Sequence, residues 1–227
     1  MNVAVIVYPG SNADWDAFHV LRDVMGVGAG YVFHKQTSLE GYDAVVLPGG
    51  FSYGDYLRSG AIARFSPISR EVTRFAESGG PVLGICNGFQ VLTELHLLPG
   101  ALMQNAQRTF VCKDVHIRAE TDQLLHRPIS RGTVLKMPVA HAHGQYVCDR
   151  ATLDQLKAQD RIAFRYCHAN GDVDDVSNVN GSMEGIAGIY NAKGNVLGLM
   201  PHPERASEDV LGSADGLKLL QALCGAS

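Results

Sequence analysis

The sequence predicts an α/β fold: a three-layer sandwich around a mostly parallel, doubly wound sheet, with antiparallel strands in the C-terminal half. Three observations carry that expectation. Short apolar, β-rich runs alternate with helical patterns through the first hundred residues, the order that a parallel sheet with crossover helices requires. Beyond about residue 105, strand-like runs follow one another without long helices between them. The 227 residues are 46% hydrophobic and 19% charged, enough apolar material for one sizeable core, so a single domain over 1–227 is expected.

The elements follow in order. Residues 3–7 form an unbroken apolar run that reads as a buried strand. Residues 14–25 carry Trp15, Phe18, Leu21 and Met25 at helical spacing, and Gly26 closes the helix. Gly26-Val27-Gly28-Ala29-Gly30 has the look of a dinucleotide loop, but it follows a helix instead of opening one. It is read as a helix stop and turn. Residues 42–47 make the next strand, ending at Pro48-Gly49-Gly50. Ser66-Pro67 suits a helix start, Ile68, Val72 and Phe75 share a face, and Gly79-Gly80-Pro81 ends it. A strand then leads into Cys86, and the helix after it is expected to reach Pro99-Gly100. Residues 110–117, 134–139 and 161–166 read as strands. Residues 186–190 and 196–200 bracket a glycine-containing hairpin loop, and a last helix from near Ser213 carries Leu217, Leu220 and Leu223 on one face.

Composition excludes several classes. A net charge of −4 gives no footing for nucleic acid or an anionic membrane. Five scattered cysteines without a CxxC pair point to reduced thiols in a cytoplasm, not to disulfides or structural zinc. The start, Met1-Asn2-Val3-Ala4-Val5, lacks the basic lead-in of a signal peptide, and no apolar run reaches the roughly 20 residues of a membrane span. A soluble protein is expected. No P-loop motif argues for an ATP site in this chain.

The chemistry centres on Val82-Leu83-Gly84-Ile85-Cys86-Asn87-Gly88, a buried strand turning sharply into a helix. Glycines two before and two after the cysteine suit a nucleophile elbow, where flanking side chains would collide. The helix start aims backbone N–H groups at the sulfur, which favours a thiolate. A cysteine nucleophile needs a base and a group to orient it. Met200-Pro201-His202-Pro203-Glu204 offers both. Pro203 biases His202 to extended backbone, and in an extended chain residues two apart face the same way, which sets Glu204 beside His202. For the oxyanion, the Asn87 N–H and the side-chain-free Gly49-Gly50 loop are the expected donors, each typically worth ~3 kcal/mol of barrier. Pro9-Gly10-Ser11-Asn12, Gly49-Gly50 and Cys86 all fall at carboxyl ends of predicted strands, where such sheets build their sites. His141 and His143, near Cys148, form a weak metal-binding pattern better explained as exposed or packed histidines, so no metal site is expected. Cys112, Cys148, Cys167 and Cys224 are read as packing residues.

With these residues in place, the chain resembles the class I glutamine amidotransferases, over almost its whole length. The matching segments are Tyr8-Pro9-Gly10-Ser11-Asn12, the run 48–58 with Gly60-Ala61-Ile62-Ala63, the Cys86 elbow, Phe164-Arg165-Tyr166, Asn180-Gly181-Ser182 and the run 198–205. The run from Pro48 to Ala63 is the most specific. It points to the branch of that family that serves purine biosynthesis, a glutaminase subunit supplying ammonia to a separate large formylglycinamide ribonucleotide synthetase. The resemblance implies that Cys86 forms a γ-glutamyl thioester, with His202 as base and Glu204 as its orienter. It implies that Gly49, Gly50, Asn87 and Gln90 line the glutamine pocket and that Asn105 and Phe110 complete it. It further implies no cofactor in this chain, ATP and magnesium on the synthetase, and often a small accessory subunit.

The chain departs from the family pattern at four positions. Ala142 and His143 stand where a Gly and a Glu are common, Val179 where a Pro is usual, and Gln107 where a small polar residue is common. Other enzymes share parts of the pattern. A cysteine hydrolase of flavodoxin-like fold would share the elbow, but there a histidine usually follows the cysteine, whereas Asn87 follows here. A γ-glutamyl hydrolase is the nearer rival, although those enzymes are typically secreted or lysosomal. A non-catalytic binding module would leave elbow, His-x-Glu and double glycine as coincidences.

Overall fold

The computed structural model of the chain describes residues 1–122, 125 and 129–225. Strand β1 (Asn2–Val7) is apolar on both faces and lies inside the sheet, paired in parallel with β2 (Gly28–Phe33) and β3 (Ala44–Leu47). Strand β4 (Val82–Ile85) pairs in parallel with β3 and with the late strand β11 (Val196–Leu199). Beyond β11 the sheet turns antiparallel through β10 (Ile186–Tyr190), β9 (Ile162–Cys167), β6 (Val111–Ala119) and β7 (Val134–His141). Among the described residues one nine-stranded sheet results, in the order β2-β1-β3-β4-β11-β10-β9-β6-β7. Insertion of β11 beside β4 brings the C-terminal segment to the nucleophile, because both strands end on the same edge of the sheet.

Helices flank this sheet. Helix α1 (Asp14–His19) packs on β1 and continues as a wider π-type turn over Val20–Val24. Helix α2 (Pro67–Glu77) starts at the expected proline, while α3 (Asn87–Glu94), entirely buried, packs on β3, β4 and β11. Helix α4 (Arg150–Ala158) precedes β9, and α5 (Asp215–Cys224) packs on β7. No helix among the described residues is long and apolar enough to cross a membrane.

Several sequence expectations are corrected. Gly26 does close a helix at φ +66°, but the glycines after it open β2 rather than a turn. They are small because the space is taken: a Cβ on Gly28 would lie 2.1 Å from the Asn2 Oδ1, and one on Gly30 would lie 2.4 Å from the Tyr42 hydroxyl. Trp15 is exposed, since Phe18 stacks on Tyr31 at 4.4 Å and fills the contact with the sheet. Helix α3 stops at Glu94, and irregular turns lead to Gly100. Helix α4 was hidden by its polar sequence, although Asp149 caps it by accepting the Thr152 N–H at 2.7 Å. A short two-stranded sheet of β5 (Ala101–Met103) and β8 (Gln145–Val147) also escaped the pattern. Cys112 is exposed on β6 and is not a packing residue.

The close approach of α3 to β3 sets a test. A Cβ on Gly88 would lie 1.9 Å from the Leu47 carbonyl oxygen, a backbone atom with no freedom to retreat. Gly88→Ala is expected to lower the unfolding free energy by at least about 1–3 kcal/mol, the usual cost of overpacking, measured by denaturant titration.

Candidate active site

Cys86 joins β4 to α3 with φ 51° and ψ −105°, a backbone conformation that L residues rarely adopt. The surroundings enforce it. The Cys86 N–H donates to the Leu199 carbonyl of β11 at 2.8 Å, and the Cys86 carbonyl accepts the Gln90 N–H at 3.2 Å to start α3. A Cβ on Gly84 would lie 2.8 Å from the Gly88 carbonyl group. Both flanking positions are thus closed to any side chain, as an elbow requires.

The segment after β11 places His202 and Glu204. His202 is extended as expected (φ −103°, ψ 92°), and its N–H donates to the Pro138 carbonyl of β7 at 2.9 Å. Pro203–Arg205 is then a single 3₁₀ turn and not an extended strand. The turn nevertheless brings Glu204 Oε1 to 2.5 Å from His202 Nδ1, both residues being buried. Burial alone would lower the pKa of His202, but the Glu204 carboxylate and the nearby Cys86 sulfur outweigh it and raise the pKa above the usual histidine range. Cys86 and His202 therefore share one site. Their alignment is loose: His202 Nε2 has no hydrogen-bond partner of good geometry among the described residues, and the Cys86 thiol makes a weak hydrogen bond to the Ala140 carbonyl at 3.8 Å.

The double-glycine loop completes one wall. A Cβ on Gly49 would lie 2.6 Å from His202 Cε1, so this backbone lies directly against the imidazole. Gly50, at φ +155°, bridges to Ser11, and a Cβ there would lie 2.6 Å from the Gly10 carbonyl oxygen. The three predicted strand-end loops, at residues 9–12, 49–50 and 86, do converge. The side chains of Asn87 and Gln90 hold walls together. Asn87 Oδ1 accepts the Ser52 N–H at 3.0 Å, Asn87 Nδ2 donates to Gln90 Oε1 at 2.8 Å, and Gln90 Nε2 donates to the His143 carbonyl at 2.5 Å. Asn105 is buried with its amide fully engaged by Thr109, His141 and Gly144. Phe110 is half-exposed just before β6.

Sequence reasoning missed the structural use of Tyr166 and Asn180. Asn180 Nδ2 donates to the Gly144 carbonyl at 2.8 Å and to the Tyr166 hydroxyl at 3.1 Å, buttressing the turn that follows β7. Two of the departures from the family pattern meet each other, as Gln107 Nε2 donates to the Val179 carbonyl at 2.9 Å. A third, His143, lies near Asp55, whose carboxyl pKa is raised by burial against the opposing pull of Ser59 and, less, of His143. Among the described residues no group of three or more His, Cys, Asp or Glu is placed to hold a metal ion.

Comparisons with known proteins place the chain in a family. The family model for the CobB/CobQ-like glutamine amidotransferase domain matches residues 1–216, and the chain belongs to that family. Within it, the chain is similar to the phosphoribosylformylglycinamidine synthase subunit PurQ of Koribacter versatilis, at 52% identity over 227 residues, covering 100% of this chain and 98% of the relative. It is also similar to a chain in the structure of PurLQS from Thermotoga maritima, with TM-score 0.87 and 43% identity over 99% of this chain and 97% of that one. A glutamine amidotransferase from Thermotoga maritima shares the fold, with TM-score 0.57 and 18% identity over 98% of this chain and 90% of that one.

The raised His202 sets a test of the His–Glu contact. Glu204→Gln removes the carboxylate that favours imidazolium and is expected to lower the His202 pKa, read by NMR titration of the ring. A raised native pKa adds stability that is complete below the ordinary histidine range and is lost as pH rises through the native value. In the variant that loss moves to lower pH. An unchanged His202 titration contradicts the pairing.

Proposed function

We propose that the chain is the glutaminase subunit of phosphoribosylformylglycinamidine synthase, acting as one unit over 1–227. The observation that carries this reading is the meeting of Cys86, His202 and Glu204 in one buried site, in a chain similar over its full length to PurQ. The Cys86 sulfur, as thiolate opposite protonated His202, attacks the carboxamide carbon of glutamine. Negative charge moves to the amide oxygen, where the Asn87 N–H at the start of α3 and the Gly49-Gly50 backbone receive it. His202 Nε2 then gives its proton to the amide nitrogen, the C–N bond breaks, and ammonia leaves a γ-glutamyl thioester on Cys86. Water, deprotonated by His202, attacks the thioester and releases glutamate. Glu204 holds the ring with Nε2 toward the sulfur and stabilises its charged form.

Glutamine hydrolysis by these groups needs no cofactor in this chain. ATP and magnesium belong to the large synthetase, which uses the ammonia to convert formylglycinamide ribonucleotide to formylglycinamidine ribonucleotide. A small accessory subunit completes the assembly, in the cytoplasm. Gln90 and Asn105 form and brace the glutamine pocket, and Phe110 lies at its outer rim.

Two outcomes test the reading. Cys86→Ala is expected to abolish glutamine-dependent synthesis by the reconstituted complex, with ammonia-dependent synthesis retained, and persistent glutaminase turnover would contradict it. The isolated subunit is expected to hydrolyse glutamine far more slowly than the complex, since unused ammonia is wasted. Equal steady-state rates with and without the synthetase would contradict that dependence.

A further inference from the structure

Strand β7 ends on His141, a buried side chain that the chemistry above does not use. Its ring lies flat against Gly144, where a Cβ would sit 2.4 Å from Cε1 and 2.7 Å from Nε2. Its Nδ1 faces Asn105 Oδ1 at 3.1 Å. The orientation of that amide is fixed by its other bonds. Nδ2 donates to the carbonyls of Thr109 and His141, each at 2.9 Å, and Oδ1 accepts the Gly144 N–H at 2.9 Å. Because Oδ1 can only accept, His141 Nδ1 must carry the proton and Nε2 presents a bare lone pair. That Nε2 is buried and has no hydrogen-bond partner among the described residues. Burial, reinforced by the charge of His202, pushes the His141 pKa down to about 4, so the ring stays neutral at physiological pH.

A buried acceptor without a donor is costly unless something fills it. The neighbourhood says what that is. One residue earlier, the Ala140 carbonyl contacts the Cys86 sulfur, and two residues before that the Pro138 carbonyl holds the His202 N–H. The end of β7 therefore borders the nucleophile on the side of His202. In the proposed reaction the leaving nitrogen takes its proton from His202 and so departs toward that side.

We propose that His141 Nε2, together with the Ala140 carbonyl oxygen, receives the N–H groups of the amide nitrogen as it departs. The proposal rests on the glutaminase reading. When the C–N bond breaks, the nitrogen takes one proton from His202 and becomes neutral ammonia, leaving His202 as neutral imidazole. Neither acceptor has a proton to give at that face, so ammonia held there remains the free base that a synthetase can use as a nucleophile. Asn105 is a positioning residue in this arrangement, because it sets the tautomer.

The test compares two substrates on the chain reconstituted with its synthetase: glutamine, and glutamate γ-methyl ester, whose leaving oxygen carries no N–H. His141→Phe keeps a ring against Gly144 but has no lone pair, and His141→Leu makes the same comparison if the larger ring disturbs folding. Removal of the acceptor is expected to reduce kcat/KM for glutamine at least about tenfold more than for the ester, the scale of one lost hydrogen bond to a reacting group. His141→Gln, which keeps an acceptor oxygen, is expected to bring that preference back to within about threefold of the native value. Parallel losses on both substrates overturn the proposal and leave the glutaminase reading standing. Native complex that hydrolyses the ester but not glutamine overturns both.

Discussion

The backbone of Cys86 is the constraint on which the site depends. A side-chain-bearing residue at φ 51° and ψ −105° carries strain of about 1–3 kcal/mol, and it persists only where the surroundings leave no alternative. Here β4 enters fully buried, α3 leaves fully buried, and the glycines at 84 and 88 let helix and strand approach to backbone contact. The same geometry points the first turn of α3 at the sulfur. Asn87 and Gln90 link this turn to Ser52 and His143 on either side.

The mixed sheet supplies the remaining groups. Pairing of β11 with β4 delivers His202 and Glu204, and the antiparallel run from β10 to β7 brings the edge strand back against the catalytic turn through the Pro138 carbonyl. Further ties fix that turn from outside. Arg205 pairs with Asp16 of α1 at 2.9 Å, and the His19 ring bridges the carboxylates of Asp23 and Glu208, each at 3.0 Å. The base is thus held by three separate parts of the fold.

The parts of this arrangement legible in the sequence were those with a steric or periodic signature. Gly-x-Cys-x-Gly announced the elbow because only glycine fits at 84 and 88, and the apolar runs at β1, β3 and β4 announced the parallel centre. His202 and Glu204 were found for a reason that proved incomplete, since a 3₁₀ turn and not strand alternation brings them together. Glycines at 28 and 30 concealed β2, as their role is to admit Asn2 and Tyr42 and not to bend the chain. The polar surface of α4 concealed a helix whose cap was readable at Asp149. Asn105 was legible as a site residue, but its use in fixing His141 depends on contacts with residues some forty positions away, which no local pattern encodes.

The central claim, that the Cys86 sulfur carries the γ-glutamyl group, is tested most directly by acid-quenching the working complex with isotopically labelled glutamine and mapping the label by mass spectrometry. A thioester on the peptide that contains Cys86, appearing before steady state and chased by unlabelled glutamine, is the predicted result. Glutamine turnover with label on another residue, or with no covalent label at any time, would contradict the account.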